Sequence, residues 1–341
     1  MPSYRALALQ LTCRTVNAAA HRADAEVIVQ ESIARIGSQL AASLAFIGRD
    51  CKLVVLPEYA LTGFPMGESI DEWRTKACFA MDGPEYAAVA TLAQRHGIYL
   101  CLNAYEVDPH FPTLYFQASL LFNPAGDTVL RYRRLISMFA PTPHDVWSAY
   151  LDHYGLDGVF PVARTELGNF AAIASEEILY PEVARCLAVR GAEVFLHSTS
   201  EVYGPGLTPK EIAKRARATE NLAYVVSANS AGMTGTAIPD ASVNGGSKIV
   251  DHRGLVLVDA GPGESMSAFA VVDIDALRAE RRRPGMGNLL ARQRFELYAD
   301  TYAGTSMYPA NTLGDAPFDR RHFLETQVRT IDALVARGVI S

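Results

Sequence analysis

Two stretches of this 341-residue chain place reactive side chains directly after apolar runs. In LVVLPEYALTG the run ends at Pro57 and Glu58 follows, at what reads as the C-terminal edge of a strand, where α/β sheets open their ligand crevice. A carboxylate there serves as a general base if burial raises its pKa, or it simply caps a turn at the surface. In FAAIASEEILYPEVAR, Ser175 and Glu176 follow a second apolar strand and lead through Tyr180 and Pro181 into a helix. Such a corner presents a hydroxyl and free backbone N–H groups together, which nucleophilic acyl chemistry needs. An N-cap serine followed by first-turn acids is spelled the same way.

Common nucleotide, hydrolase and zinc signatures are absent. The chain has no GxGxxG, Walker loop, GxSxG elbow or HExxH, and His144 and His153 stand nine apart in a proline-rich loop rather than at helical spacing. The five cysteines (Cys13, Cys51, Cys78, Cys101, Cys186) are odd in number, widely spaced and never CxxC, which argues against a disulfide framework and a thiolate zinc site. Cys186 is expected within a helix, facing the core beside Val183 and Leu187. No metal and no cofactor are expected. The formal charge of −6 leaves no electrostatic footprint for nucleic acid or an anionic membrane, and no apolar stretch approaches the ~18 residues of a spanning helix. The opening residues MPSYRALALQLTCRT lack a signal-peptide layout, so a cytoplasmic protein is expected. Five of the 31 basic residues are lysine (Lys52, Lys76, Lys210, Lys214, Lys248), and none lies between Lys76 and Lys210.

The surrounding elements alternate in type, as in an α/β layered fold, and the composition of 49% hydrophobic and 20% charged residues is that of a globular chain. Strands are expected at 4–10 and 52–56, flanking a helix over 17–48 with a stripe of Val27, Ile28, Ile33, Ile36 and Leu40. A helix at 84–95 precedes strands near 98–106, 114–123 and 128–133, with Asn123, Pro124 and Gly126 turning a hairpin. A loop-rich region is expected over 137–168. Beyond it come a strand at 170–174, a helix at 181–190, a strand at 193–197, a helix at 209–222, and strands at 223–229, 246–251, 255–259 and 267–273. The last forty residues read as irregular and then helical over 318–337, with Phe323, Val328, Ile331 and Leu334 on one face, packing on their own domain or reaching a partner subunit.

In order along the chain, LVVLPEYALTG, GDTVLRYRRL, IASEEILYPEVARCLAVRGAEVFL, RARATENLAYVVSANSAG and GGSKIVDHRGLVLVDAG resemble the nitrilase (carbon-nitrogen hydrolase) superfamily, over roughly residues 4 to 285. The resemblance implies an α/β, four-layer αββα sandwich, with two subunits joined as αββα-αββα into a homodimer or higher homo-oligomer. It divides the chain into a hydrolase domain over 1–285 and a tail over 286–341 that stabilises the oligomer. Members of the family use a Glu, a Lys and a Cys to hydrolyse amides, nitriles or carbamoyl groups through a covalent thioester or thioimidate. Carried over, the Glu is Glu58, the Lys position (third in YRR) holds Arg134, and the Cys position (six before Pro181) holds Ser175. A further family glutamate, about two dozen residues before the cysteine, corresponds most nearly to Asp152. Glu177 matches an acid two after the nucleophile and reads as holding its loop through backbone N–H groups. Tyr59 and Tyr203 are candidates for the pocket wall or for aromatic core packing, and Arg217 with Glu220 reads as a pair on one helix face.

The two departures change the chemistry expected. A thiol ionises readily beside a cation, whereas a serine hydroxyl must lose its proton during attack, and arginine donates to an oxyanion but cannot shuttle a proton as lysine does. The expectation is a carbon-nitrogen hydrolase-like protein acting on a small-molecule amide, nitrile or N-carbamoyl compound. Ser175 would be its nucleophile and Glu58 its base, with Arg134 and the Glu176 backbone N–H at the oxyanion. The alternative is a catalytically inactive protein of the same fold that binds a small ligand or partner without turnover. With no lysine from 77 to 209, no local substitute for the missing lysine is expected.

Overall fold

The computed structural model describes residues 3–204, 206–314 and 318–341. Its first sheet runs in the order Phe269–Val272, Tyr4–Ala8, Cys51–Val55, Tyr99–Asp108, Phe111–Phe122, Thr128–Arg133, with the short Phe79–Ala80 also pairing to Tyr99–Asp108. Tyr4–Ala8, Cys51–Val55 and Tyr99–Asp108 are parallel, and the outer strands are antiparallel. The second sheet runs Val256–Asp259, Lys248–Val250, Tyr224–Asn229, Val194–Thr199, Gly168–Ala174, Ala163–Thr165. Its three parallel strands are in register, Ser198 facing Ala174 on one side and Ala228 on the other.

The two-residue period of the strands separates the layers. Ala6, Ala8, Leu53, Val55 and Cys101 join the core shared with the second sheet, while Leu7, Val54, Leu100 and Leu102 point the other way. Against that outer face the helix Arg22–Ile47 lays Ala25, Val29, Ile33, Ile36 and Leu40, beside Val89, Leu92 and Ala93 of Pro84–His96. Val183, Ala184 and Leu187 of Pro181–Val189, with Ala213 and Ala218 of Pro209–Asn221, pack on the second sheet. The result is the expected α/β fold in four layers. No helix among the described residues is long and apolar enough to cross a membrane.

Several expectations need correction. The first helix begins at Arg22 rather than 17 because the preceding backbone is claimed elsewhere: Val16 N donates to Thr62 O (2.9 Å) and Asn17 O accepts from Lys76 Nζ (3.1 Å). The supposed loop 137–168 contains the helix Trp147–Val159 and the strand Ala163–Thr165. Pro141 and Pro143 precede the helix and Pro161 follows it, Gly155 (φ 59°) kinks it, and Tyr150 and Val159 bury against Phe111 and Phe116. An unexpected helix, Ile70–Ala77, is opened by a Ser69/Glu72 capping box and buries Trp73. In the tail, Glu296–Ala303 forms a short helix, and the last helix spans Arg321–Ala336. Phe323 of that helix enters the core on the outer face of the first sheet while Val328 and Ile331 stay exposed; Arg320 fastens its start by donating from Nε to Glu68 O (2.6 Å).

Candidate active site

The carboxyl ends of parallel strands from both sheets meet at one place. Glu58 N donates to Thr199 O (3.3 Å), and Ser198 Oγ donates to Leu56 O (2.8 Å). Glu58, which follows Cys51–Val55, is 1% exposed. Its Oε1 accepts from Gln117 Nε2 (2.7 Å) and lies 3.5 Å from Arg134 Nη1, while its buried Oε2 has no hydrogen-bond partner among the described residues. Gln117 Nε2 also donates to Asn103 Oδ1 (2.9 Å), and Asn103 Nδ2 donates to Ser119 Oγ (3.0 Å), a polar seam inside two apolar strands.

Arg134, just past the strand Thr128–Arg133, has its guanidinium directed to several acceptors at once. Nε donates to Ile136 O (2.7 Å), Nη1 to Gln117 Oε1 (2.9 Å), and Nη2 pairs with the Glu176 carboxylate. Burial alone would lower its pKa, but Tyr59, Glu58, Glu176 and Glu177 raise it above the usual guanidinium value. The group is therefore a fixed cation, and its contacts position Glu58 and Glu176.

Ser175 closes the strand Gly168–Ala174 in the left-handed conformation, φ +50°, which costs a side-chain-bearing residue about 1–2 kcal/mol and persists only where the surroundings hold it. One such hold is His197 Nε2, 2.8 Å from Ser175 O. A carbonyl only accepts, so Nε2 carries the hydrogen and Nδ1 accepts from Ser227 Oγ (2.8 Å). Burial, and then the Lys214 charge, push the His197 pKa well down, so the ring is neutral. The Ser175 hydroxyl lies 3.2 Å from Lys210 Nζ, which also reaches Thr199 Oγ1 at 3.2 Å. No lysine lies between Lys76 and Lys210 in the sequence, but the fold brings Lys210, 35 positions on, to the Ser175 hydroxyl.

Glu177 is fully buried under Ser175. Its Oε1 accepts from Leu135 N (2.6 Å) and Ile136 N (3.1 Å), and its Oε2 from Tyr132 Oη (2.8 Å) and Ala174 N (3.2 Å), stitching the arginine loop to the serine strand. Burial pushes its pKa up to about 7 against the pull of Arg134 and these donors. Tyr59, also left-handed (φ +61°), stacks on Tyr105 with centroids 5.8 Å apart, and burial followed by the Glu58 charge pushes its phenol well up.

The remaining expected residues lie elsewhere. Asp152 is exposed on the helix Trp147–Val159 and makes no hydrogen bond to Glu58, Arg134 or Ser175. Tyr203 exchanges backbone hydrogen bonds with the Asn244 side chain and sets its ring 5.8 Å from Lys248 Nζ. Cys186 is half-buried rather than core-facing; it lines a cavity of about 590 Å³ with Trp147, Tyr180 and Tyr302 that borders the site along Leu135, Ile136 and Glu176. Burial raises its thiol pKa, so it is no ready thiolate. Asn103, Gln117, His197, Ser227 and Lys210 escaped the sequence reading. The first four carried a signal, a polar residue interrupting an apolar strand; Lys210 carried none.

The carbon-nitrogen hydrolase family model matches residues 8–283. The nitrilase and fragile histidine triad fusion protein NitFhit of Caenorhabditis elegans is 26% identical over 254 residues, covering 73% of this chain and 55% of that protein. A formamidase of Pseudomonas syringae pv. syringae is 27% identical over 237 residues, covering 69% of this chain and 64% of the formamidase. The chain thus spans between about half and two thirds of the length of these relatives. Among solved structures, Saccharomyces cerevisiae Nit3, a member of branch 10 of the nitrilase superfamily, superposes with a TM-score of 0.65 at 19% identity, covering 85% of this chain and 97% of that one. At that identity the likeness is one of fold.

Proposed function

The chain belongs to the carbon-nitrogen hydrolase family, and on that premise we propose that it hydrolyses a small amide-type carbon-nitrogen bond. Ser175 stands where the family's cysteine would be and Arg134 where its lysine would be. The observation that carries the reading is Ser175 itself: a buried hydroxyl held at φ +50° on a strand end, next to the strand Val194–Thr199 whose last carbonyl accepts from Glu58 N. Strained corners of this kind persist where they aim a side chain. In this reading Ser175 Oγ attacks the carbonyl carbon, and the open Oε2 of Glu58 accepts a hydrogen bond from the substrate nitrogen. The formamidase supports a small amide as the substrate class. The test is a panel of amides, nitriles and N-carbamoyl compounds with the native chain and Ser175→Ala. Turnover that disappears in the alanine variant is expected; turnover that survives it overturns the reading.

A second reading, a ligand-binding protein without turnover, is favoured by the engagement of Arg134, whose charge is shared between Glu58 and Glu176. It predicts saturable binding of a small amide with no product. An acyl-enzyme on Ser175 in intact mass spectra removes it.

A further inference from the structure

We propose that Lys210 is the proton acceptor for Ser175, oriented by Thr199, so that the site works as a serine-lysine pair; this rests on Ser175 being the nucleophile. Three observations converge on Lys210. Its Nζ lies 3.2 Å from Ser175 Oγ, within reach of the proton that must leave during attack. Its other partner is Thr199 Oγ1, also at 3.2 Å, which supplies the third group that a nucleophile-base pair needs to fix the base in place. The neighbouring lysines, in contrast, are committed to carboxylates. Lys214 Nζ sits 2.6 Å from both Glu201 Oε1 and Glu211 Oε1, and Lys248 Nζ pairs with Glu211 and with Asp259 (2.8 Å). Among the described residues no carboxylate lies within ion-pair distance of Lys210.

The other candidates for the base are placed less well. Arg134 stays protonated and its donors are taken. Glu58 makes no hydrogen bond to Ser175 among the described residues, its Oε1 being given to Gln117 and Arg134. His197 reaches the Ser175 carbonyl rather than the hydroxyl, and both its nitrogens are engaged.

As an ammonium, Lys210 Nζ donates to both hydroxyls. As an amine it accepts the Ser175 proton while donating to Thr199. The Oγ–carbon bond then forms, the ammonium returns the proton to the leaving nitrogen as the carbon-nitrogen bond breaks, and an acyl-serine remains. Water then gives a proton to the same amine and attacks the ester carbon; the bond to Oγ breaks, the ammonium returns the proton to Ser175 Oγ, and the acid leaves. The charged and titratable groups around Lys210 are Glu211 and Lys214 on its own helix, Glu201 before it, neutral His197 on the adjacent strand, and Glu176 beside Ser175 in its pair with Arg134.

The test uses a fluorophosphonate probe on the purified full chain. Phosphorus takes Ser175 Oγ, fluoride leaves, and the adduct is located by peptide mass mapping while labelling rates are followed over a neutral-to-alkaline pH series. The expected result is labelling at Ser175 that quickens with pH. Lys210→Met and Lys210→Arg, with circular dichroism and thermal midpoint as in the parent, should label about 10²-fold more slowly or worse and lose the pH response. The arginine variant keeps the charge and the donors but cannot take a proton, so a merely structural lysine would tolerate it. Parent-rate labelling in either folded variant overturns the role of Lys210 while leaving Ser175 as nucleophile. A parent rate that is flat with pH overturns it without any variant. Failure of the parent to label at Ser175 overturns the nucleophile reading beneath it.

Discussion

Replacing Arg134 with methionine removes the cation between Glu58 and Glu176 while keeping much of its buried stem. Arg134 is 7% exposed, and the consequences for its two carboxylates differ. Glu176, with 34% of its side chain exposed, can turn to water, so losing that pair contributes little. Glu58 cannot, and it keeps only the Gln117 amide. Removing one partner of a buried ion pair costs about 3–5 kcal/mol because the other charge is stranded. The Gln117 carbonyl loses a donor as well, at about 1–3 kcal/mol for a buried acceptor, so the variant should fall in the upper part of that range. Adding Glu58→Gln removes the stranded charge, and a coupling of about 2–3 kcal/mol should then appear in the double-mutant cycle. Urea unfolding of the parent, both single variants and the double, followed by circular dichroism with linear extrapolation, measures it. Arg134→Met within about 1 kcal/mol of the parent, or a double variant as unstable as the two singles summed, contradicts a stranded Glu58 charge.

Glu177 gives the fold a pH dependence of unusual sign. Burial raises it from 4.5 to about 7, so between those values the folded chain holds a proton that the unfolded chain has released. Stability should therefore be greatest below that window and fall by up to about 3 kcal/mol across it, and Glu177→Gln should flatten the profile; parent stability that rises through the window contradicts this. Phe323→Ala, which empties the one fully buried aromatic position of the last helix, should cost about 3–5 kcal/mol and expose the tail to limited proteolysis; an unchanged digestion pattern would show that the helix does not depend on it.

What the sequence disclosed follows from what each residue depends on. The parallel strands were legible because burial on both faces makes them continuous apolar runs, and Glu58 was found because it follows one such run. The helix Trp147–Val159 was misread because Gly155 and Gly158 fall inside it and prolines crowd its start, although Tyr150 and Val159 anchor it. Lys210 was missed for a topological reason. Gly168–Ala174 and Val194–Thr199 are adjacent parallel strands, so the chain leaving the second passes beside the chain leaving the first. A search for a lysine near Ser175 in sequence looks in the wrong direction. The contacts of Gln117 and Asn103 across the antiparallel pair Tyr99–Asp108 and Phe111–Phe122 likewise depend on register, which no local pattern states.

The fan of acceptors around Arg134 also sets an order on sequence change. A lysine there carries all its donors on one nitrogen, whereas the Ile136 carbonyl, the Gln117 amide and Glu176 are met by three different nitrogens of the guanidinium fork. A lineage moving between arginine and lysine at this position must first alter those neighbours or pass through a weakened intermediate. Exchanging Ser175 for cysteine disturbs none of the guanidinium's bonds. Residue 175 can thus change without disturbing the guanidinium, whereas a change at 134 is coupled to three neighbours at once.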